Sequence, residues 1–192
     1  MQKNENPIVL SLVLLVTSVV VALILAFTNS VTKDKIAENT RKEQDAAKIE
    51  VLAGATIFED VDFKDETGLV KNVYLGKNEK HELIGWCVSV TPSGYGGVID
   101  TMVGISRDGA VSGVKIISLS ETPGLGAKAT DASFLDQFAG KSGDGSLAVI
   151  KSGTAGEGEI MAISGATITS SAVKDGVNAA AKAVESVKGG KN

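Results

Sequence analysis

An uncharged apolar stretch from Ile8 to Phe27 constrains this chain more than any other feature of its sequence. Val, Leu, Ile and Ala occupy most of its positions. Because a helix rises about 1.5 Å per residue, about twenty residues span about 30 Å, the thickness of the hydrocarbon layer of a membrane. The sequence therefore predicts one N-terminal transmembrane helix within residues 1–30.

The alternative for this stretch is a cleaved secretory signal, which has a basic start and a shorter apolar run of about 7–15 residues. Here the N-terminal flank holds Lys3 against Glu5, and the apolar run is longer. We therefore favour an uncleaved membrane anchor. Its polar members can return their hydroxyls to the preceding helical turn at little cost in lipid; they are Ser11, Thr17 and Ser18.

Composition excludes several classes of site. The net charge of −4 over 192 residues argues against a nucleic-acid partner, which would require a basic surface. One cysteine and one histidine exclude a disulfide framework, a Cys-rich zinc site and an iron–sulfur cluster held by this chain alone. We expect no metal site, a packed Cys87 in a strand and a solvated His81 in a hairpin loop.

The segment that follows the anchor has the composition of a helix. Residues 31–55 are rich in the helix formers Lys, Glu and Ala, and Gly54 suits a helix stop. Their apolar positions are sparse at first and dense near the end, so we predict a stalk that docks only through its last turns. The predicted domains are a transmembrane anchor (1–30), a stalk helix (31–55) and a folded domain (56–192).

The folded domain alternates short β-rich runs with turns. A hairpin is predicted around Gly76–Lys80 and a second at Arg107–Gly109. Antiparallel strand pairs with helices between and after them indicate an α+β fold rather than a βαβ succession. The predicted strands are Val70–Leu75, Leu83–Val90, Val98–Ile105, Ala110–Ser118 and Ser146–Lys151, and the predicted helices are Thr130–Ala139 and Ser170–Val187.

A hydroxyl-rich turn, Ser164–Ser170, lies just before the predicted terminal helix. Free backbone N–H groups and the positive end of the helix dipole make such a turn attractive to phosphate. An equally good reading is that Thr169 or Ser170 simply caps the helix with no ligand present. The residues alone leave these two alternatives open.

Two further glycine-containing stretches break the core pattern. Glu121–Gly126 has the sequence ETPGLG, a rigid loop with few side chains that could lie under a flat ring. Gly94–Gly97 has the sequence GYGG and precedes a predicted strand. Each stretch taken alone would be interpreted as a surface turn, and Glu121 as an exposed carboxylate.

Together, in this order, the three stretches resemble the FMN-binding domain family. Ser164–Thr167 resembles its SGAT flavinylation motif, and ETPGLG and GYGG resemble the companions of that motif. The resemblance covers about residues 69–187 and is greatest to the G subunits of Rnf electron-transport complexes. The C subunit of the sodium-pumping NADH:quinone reductase is a relative and the alternative assignment.

The resemblance implies covalently bound FMN, attached by a phosphoester to Thr167. A separate flavin transferase makes this bond in the family, using the FMN half of FAD. The helix start would stabilise the remaining phosphate charge. The resemblance implies phosphate contacts from Ser164, Gly165, Ala166 and Thr169, and ring or ribityl contacts from Thr122, Gly124, Leu125, Gly126, Tyr95, Gly96 and Gly97.

The implied function is electron transfer within an ion-translocating ferredoxin:NAD⁺ oxidoreductase complex, by a subunit that is not catalytic alone. Its partners would be the other membrane subunits. The resemblance places the domain outside the cytoplasm on a single-pass cell (inner) membrane anchor. The basic residues after the anchor favour the opposite orientation, but acidic residues are interleaved with them; the basic ones are Lys33, Lys35, Arg41 and Lys42.

Two positions depart from the family pattern. Met161 stands where the family usually has an Asp that the transferase is thought to recognise, and Leu119 stands where a His is frequent. Met161 favours the alternative of a non-flavinylated scaffold subunit. A stand-alone flavoprotein reductase acting on a small molecule is a third possibility.

Overall fold

The computed structural model describes residues 7–63, 65 and 67–189. The chain divides into two compact units, with the boundary between Lys42 and Glu43. A single helix, α1 (Pro7–Val51), runs through this boundary, so the predicted anchor and stalk belong to one continuous helix.

In the first unit the structure describes α1 from Pro7 to Lys42, whose apolar side chains are exposed. Among the described residues, α1 is the one helix long and apolar enough to cross a membrane. Its hydroxyls bond as predicted: Ser11 Oγ donates to Pro7 O at 2.9 Å and Ser18 Oγ donates to Leu14 O at 2.8 Å. Farther along, Glu38 accepts from both Lys35 and Lys42, at 3.2 and 2.6 Å, which offsets part of the basic charge beside the apolar stretch.

The second unit is built on a five-stranded antiparallel sheet in which neighbours in sequence are neighbours in space. This arrangement confirms the predicted α+β class. The strands are β1 (Ile57–Val61), β2 (Val70–Lys77), β3 (Leu83–Val90), β4 (Asp100–Ser106) and β5 (Val111–Ser118).

Each face of this sheet is covered by a different helix. The terminal helix α3 (Thr167–Gly189) packs its apolar stripe, including Val173, Val177 and Val184, against the larger core. The last turns of α1 cover the opposite face through Ala47 and Val51, as the dense apolar end of the stalk predicts. The sheet is thus buried on both sides, which explains why β3 is apolar without alternation.

Glycines make room for the end of α1 on the sheet. A Cβ added to Gly104 would lie 2.1 Å from Val51 O, and one on Gly76 would lie 2.4 Å from Leu52 Cδ2. Ser112 Oγ donates to Val51 O at this point. At Gly104 the helix end therefore meets the strand backbone directly, whereas at Gly76 the glycine makes room for the Leu52 side chain.

The predicted helix over Thr130–Ala139 is present only as short helical pieces from Ala132 to Phe138. The structure has a 3₁₀ turn (Gly126–Thr130), a short helix α2 (Ala132–Leu135) and a second 3₁₀ turn (Asp136–Phe138). Asp131 adopts an extended conformation, with φ −70° and ψ 138°, which interrupts the helical run. The predicted apolar face is nevertheless real, because Phe134 and Phe138 are buried and pack edge to face at 5.5 Å between ring centroids.

Two strands are not predicted from the sequence, β1 and β7 (Glu159–Met161). The predicted strand Ser146–Lys151 is shorter, β6 (Ala148–Ile150), and it pairs with β7 in parallel rather than antiparallel. The first hairpin turns later than predicted, because β2 continues to Lys77 and Asn78 Oδ1 accepts from Glu82 N to close the turn. His81 is exposed in this turn, as expected.

Candidate functional site

A cavity of about 520 Å³ lies where the three glycine-containing stretches meet. Its volume is in the range of small-molecule and cofactor sites, about 300–1,000 Å³. One side is the first turn of α3 and the other is the loop after β5. The lining residues are Tyr95, Glu121, Thr122, Leu125, Gly126, Gly165, Ala166, Thr167, Ile168 and Thr169.

Thr167 is the first residue of α3 and is half-buried at the cavity. The first i→i−4 bond of this helix is donated by Ser170 N to Ala166 O, at 3.0 Å. The backbone N–H groups of Thr167, Ile168 and Thr169 precede that bond and have no carbonyl available within the helix. They give this end of the cavity a positive potential suited to an anion.

The turn before α3 is fastened by Ser170. Its Oγ accepts from Ile163 N at 3.0 Å and donates to Ala166 O at 2.9 Å. Thr169 and Ser170 both lie inside the helix, so the predicted capping role is wrong for both. Gly165 turns the chain with φ +76°, a conformation that favours glycine.

Glu121 joins two of the three stretches. Its Oε1 accepts from Tyr95 N at 2.8 Å and from Gly96 N at 3.3 Å. The residue is 9% exposed, so the expectation of an exposed carboxylate is wrong. These backbone donors compensate the cost of burying the charge.

Eight of the predicted site residues line the cavity: Thr122, Leu125, Gly126, Tyr95, Gly165, Ala166, Thr167 and Thr169. The other four lie outside this lining. Ser164 lines a smaller cavity of about 230 Å³ with Met161 and Gln137. Gly96 packs against the backbone of Ser120, and Gly97 and Gly124 turn the chain with positive φ.

Two residues that line the cavity are not predicted from the sequence: Glu121, as a buried group, and Ile168. Ile168 is 56% exposed although it is large and apolar, and Tyr95 and Leu125 beside the same cavity are exposed as well. The sequence does contain a signal for Ile168. It is an apolar residue within the hydroxyl-rich turn, and its position does not match the spacing of the buried stripe of α3. The exposed apolar side chains provide the surface that a flat aromatic ring requires.

The cavity has the features of a site for a phosphate-bearing aromatic ligand. Anion-stabilising N–H groups lie at the helix start, a hydroxyl stands at Thr167, and apolar side chains flank the opening. Among the residues that the structure describes, no group of three or more His, Cys, Asp or Glu could hold a metal ion.

Comparison with known proteins agrees with this geometry. The model of the FMN-binding domain matches residues 94–182, which contain every residue that lines the cavity. The model of the RnfG N-terminal region matches residues 3–51, the region of α1. Between them the two matches include residues of both units of the chain.

Named relatives extend over most of the chain. The G subunit of the Na⁺-translocating ferredoxin:NAD⁺ oxidoreductase complex of Acetobacterium woodii is 43% identical over 182 residues, covering 88% of this chain and 87% of the relative. The G subunit of the ion-translocating oxidoreductase complex of Methanosarcina acetivorans is 33% identical, covering 92% and 93%.

The fold has a counterpart among solved structures. The crystal structure of Shewanella oneidensis NqrC superimposes with a TM-score of 0.61 at 17% identity, covering 73% of this chain and 91% of that one. This likeness supports the fold, and the two family models and the named relatives define the family. The chain belongs to the RnfG family, the FMN-binding G subunits of the ion-translocating Rnf electron-transport complexes.

Proposed function

We propose that this chain is a membrane-anchored electron carrier whose FMN is bound covalently to Thr167. In this proposal residues 1–30 are the anchor, residues 31–55 the stalk and residues 56–192 the FMN-binding domain. The protein transfers electrons within an ion-translocating ferredoxin:NAD⁺ oxidoreductase complex, the activity named for its relatives from Acetobacterium woodii and Clostridium ljungdahlii. The observation that supports it most is the position of Thr167, at the start of α3 and on the cavity.

The residues of the cavity fit FMN. The free N–H groups of the first turn of α3 would hold the phosphate, and Tyr95, Leu125 and Ile168 would contact the ring. FMN supplies the redox chemistry when bound, and the chain supplies attachment, orientation and electrostatics. The half-buried Thr167 hydroxyl has room for an ester in the cavity it borders.

Attachment requires a flavin transferase as a maturation partner. In the proposed reaction Thr167 Oγ1 bonds to the FMN phosphorus of FAD and loses its proton. The diphosphate bond of FAD breaks, and AMP leaves. The atoms balance without an oxidant or a reductant, which agrees with a site that offers a hydroxyl and anion-stabilising donors.

Substitution of Thr167 tests the proposal directly. The full chain is purified from its native membranes as the wild type, as Thr167→Ala and as Thr167→Ser. We expect in-gel flavin fluorescence after denaturation, and an intact-mass gain of one FMN less one water, in the wild type. Thr167→Ser should keep part of both signals because it keeps a hydroxyl, and Thr167→Ala should lose both. Equal fluorescence in Thr167→Ala would refute the attachment site.

Met161 supports a second candidate, a scaffold subunit without flavin. The structure explains how Met161 is held: its N–H donates to Gln137 Oε1 at 2.7 Å and its carbonyl accepts from Gln137 Nε2 at 3.4 Å. The half-buried side chain borders the small cavity beside Ser164. A dark wild-type band after co-expression with its transferase, together with a bright Met161→Asp band, would favour the scaffold.

We also propose that the domain lies outside the cytoplasm. The support for this placement is the family resemblance. The basic residues after the anchor, including Lys35 and Lys42, oppose it, because their acidic partner Glu38 counts little in the positive-inside rule. Ser152 is exposed, so Ser152→Cys labelled with a membrane-impermeant maleimide in intact cells reports the location. The wild type is the matched control, because its Cys87 is buried. Labelling only after cell lysis would place the domain in the cytoplasm.

A further inference from the structure

We propose that Glu121 is a positioning residue for the flavin: its carboxylate clamps the Gly94–Gly97 loop so that Tyr95 faces the ring in the cavity. This inference rests on the proposed function and adds a role for a residue that makes no ester and transfers no electron. Its evidence is the contact between Glu121 and the backbone of the loop.

The clamp joins loops that are distant in sequence. Glu121 lies after β5, whereas Tyr95 and Gly96 lie between β3 and β4. A single oxygen, Oε1, accepts from both backbone N–H groups, at 2.8 and 3.3 Å. Within the loop, Gly94 N donates to Gly97 O at 2.7 Å and closes a tight turn.

The glycines around Glu121 are needed for its position. A Cβ on Gly94 would lie 2.1 Å from Oε1, and a Cβ on Gly126 would lie 2.4 Å from Oε2. The same added Cβ on Gly126 would lie 2.7 Å from Thr169 Oγ1. The carboxylate thus fits between the GYGG loop and Gly126 of the ETPGLG loop, and Thr169 of α3 lies close to the same glycine.

The consequence for the cavity concerns Tyr95. Its backbone is fixed by a buried carboxylate, while its side chain is 73% exposed and lines the cavity. A loop with glycines on both sides of Tyr95 would otherwise sample many conformations. Charge-assisted bonds to Glu121 restrict that freedom and present the aromatic ring in one place, where it can stack on a flavin.

Amide hydrogen exchange tests the clamp without any flavin. The full Thr167→Ala chain in detergent serves as the parent, and Glu121→Ala and Glu121→Gln are added to it. We expect exchange at Tyr95 and Gly96 to become at least about tenfold faster in Glu121→Ala. Glu121→Gln keeps an acceptor oxygen and should recover most of the protection, and the amides of β3 should not change in either variant.

Unchanged exchange of Tyr95 and Gly96 in Glu121→Ala would overturn the clamp, as would equal acceleration in Glu121→Gln. If Glu121→Ala unfolds the whole domain, so that β3 also exchanges faster, Glu121→Asp decides. Asp keeps the charge but is one methylene too short to reach the loop. Faster exchange confined to residues 94–97 would support the clamp, and unchanged exchange there would refute it.

Flavin fluorescence of the loaded chain tests the link to the cofactor. A tyrosine stacked on the flavin quenches its native emission, whereas emission after denaturation reports the amount attached. We expect native emission to rise in Tyr95→Ala and in Glu121→Ala at equal loading, and to stay near the wild-type value in Glu121→Gln. Unchanged native emission in Tyr95→Ala would overturn the stacking. If no flavin is attached at Thr167, the exchange experiment still decides the clamp.

Discussion

Gly126 and Glu121 are in such close contact that a methyl group on Gly126 would lie 2.4 Å from Glu121 Oε2. Both residues belong to the ETPGLG loop, and the glycine is buried beside the carboxylate that it accommodates. The glycine thus has a packing role in addition to any contact with a ligand. This relationship gives the first prediction.

Gly126→Ala is expected to destabilise the domain by about 1–3 kcal/mol, because the added methyl group overpacks the space between Glu121 and Thr169. It should also lower the fraction of chain with bound flavin by displacing Glu121. Gly158→Ala is the matched control, since a Cβ there meets no atom within 4 Å. Urea unfolding of the full chain in detergent, followed by Trp86 fluorescence, measures the stability, and in-gel flavin fluorescence measures the loading. Equal stability of the two variants would contradict the packing role.

The close packing of the end of α1 against the sheet gives a second prediction. Gly104→Ala should lower the free energy of unfolding by about 1–3 kcal/mol. Its Cβ would lie 2.1 Å from Val51 O, and this backbone atom cannot move away unless the end of α1 shifts. Gly113→Ala, on the neighbouring strand, would meet Val51 Cα at 3.3 Å and should cost less. Thermal unfolding of both variants checks the order. The close contact of Gly104 with Val51 would be disproved if Gly113→Ala lost more thermal stability than Gly104→Ala.

The third prediction concerns Cys87. Burial raises the pKa of the Cys87 thiol to about 12, from an ordinary value of 9.0, and nearby Lys48 opposes part of this rise. Alkylation of the native chain should therefore keep accelerating about tenfold per pH unit above pH 9, while alkylation of the urea-unfolded chain levels off there. Iodoacetamide labelling followed by mass measurement tests this difference. A native rate that levels off near pH 9 would show an accessible, ordinary thiol.

The same shift determines the sign of a pH effect on stability. The folded state favours the neutral thiol, so the contribution of Cys87 is complete below the unfolded pKa and is lost as pH rises from about 9 towards 12. The stability of Cys87→Ala should fall less than that of the wild type between pH 9 and pH 10. An equal loss of stability in the wild type and in Cys87→Ala over this pH range would contradict the prediction.

The fourth prediction concerns Lys48, which is buried although it is charged. Its Nζ lies 3.9 Å from the centroid of the Tyr74 ring and 3.0 Å from Asp45 Oδ1. Lys48→Ala loses both the ring contact and the packing of the methylenes, at a cost of about 1–3 kcal/mol, whereas Lys48→Met keeps the packing and should lose less. Urea unfolding compares them. If the two variants lost equal stability, the methylene packing would contribute nothing.

Features that depend on composition, or on the spacing of apolar residues over a few positions, could be predicted from the sequence. The apolar run in α1 needs no tertiary information, and the spacing of Val173, Val177 and Val184 gave the buried stripe of α3 correctly. Strands β3 and β5 were also predicted with nearly correct bounds, because their apolar runs are long and flanked by turns.

What escaped prediction depends on contacts between distant residues. The three residues of β7 form a strand only because β6 lies beside them. Glu121 is buried only because Tyr95 and Gly96, far away in sequence, supply two N–H donors. Local patterns therefore located the three stretches of the site, whereas Glu121, which joins two of them, became visible as a buried group only in the structure.

The place of Thr167 limits how a group bound there can move. The residue begins a helix whose later turns, from Thr169 to Val184, are largely buried in the core. Only the side-chain torsions of one threonine and the ester beyond it separate such a group from that rigid element. A cofactor attached there would have too short a tether to swing by itself between distant donors and acceptors, so electron transfer would require close approach of the cavity and each redox partner.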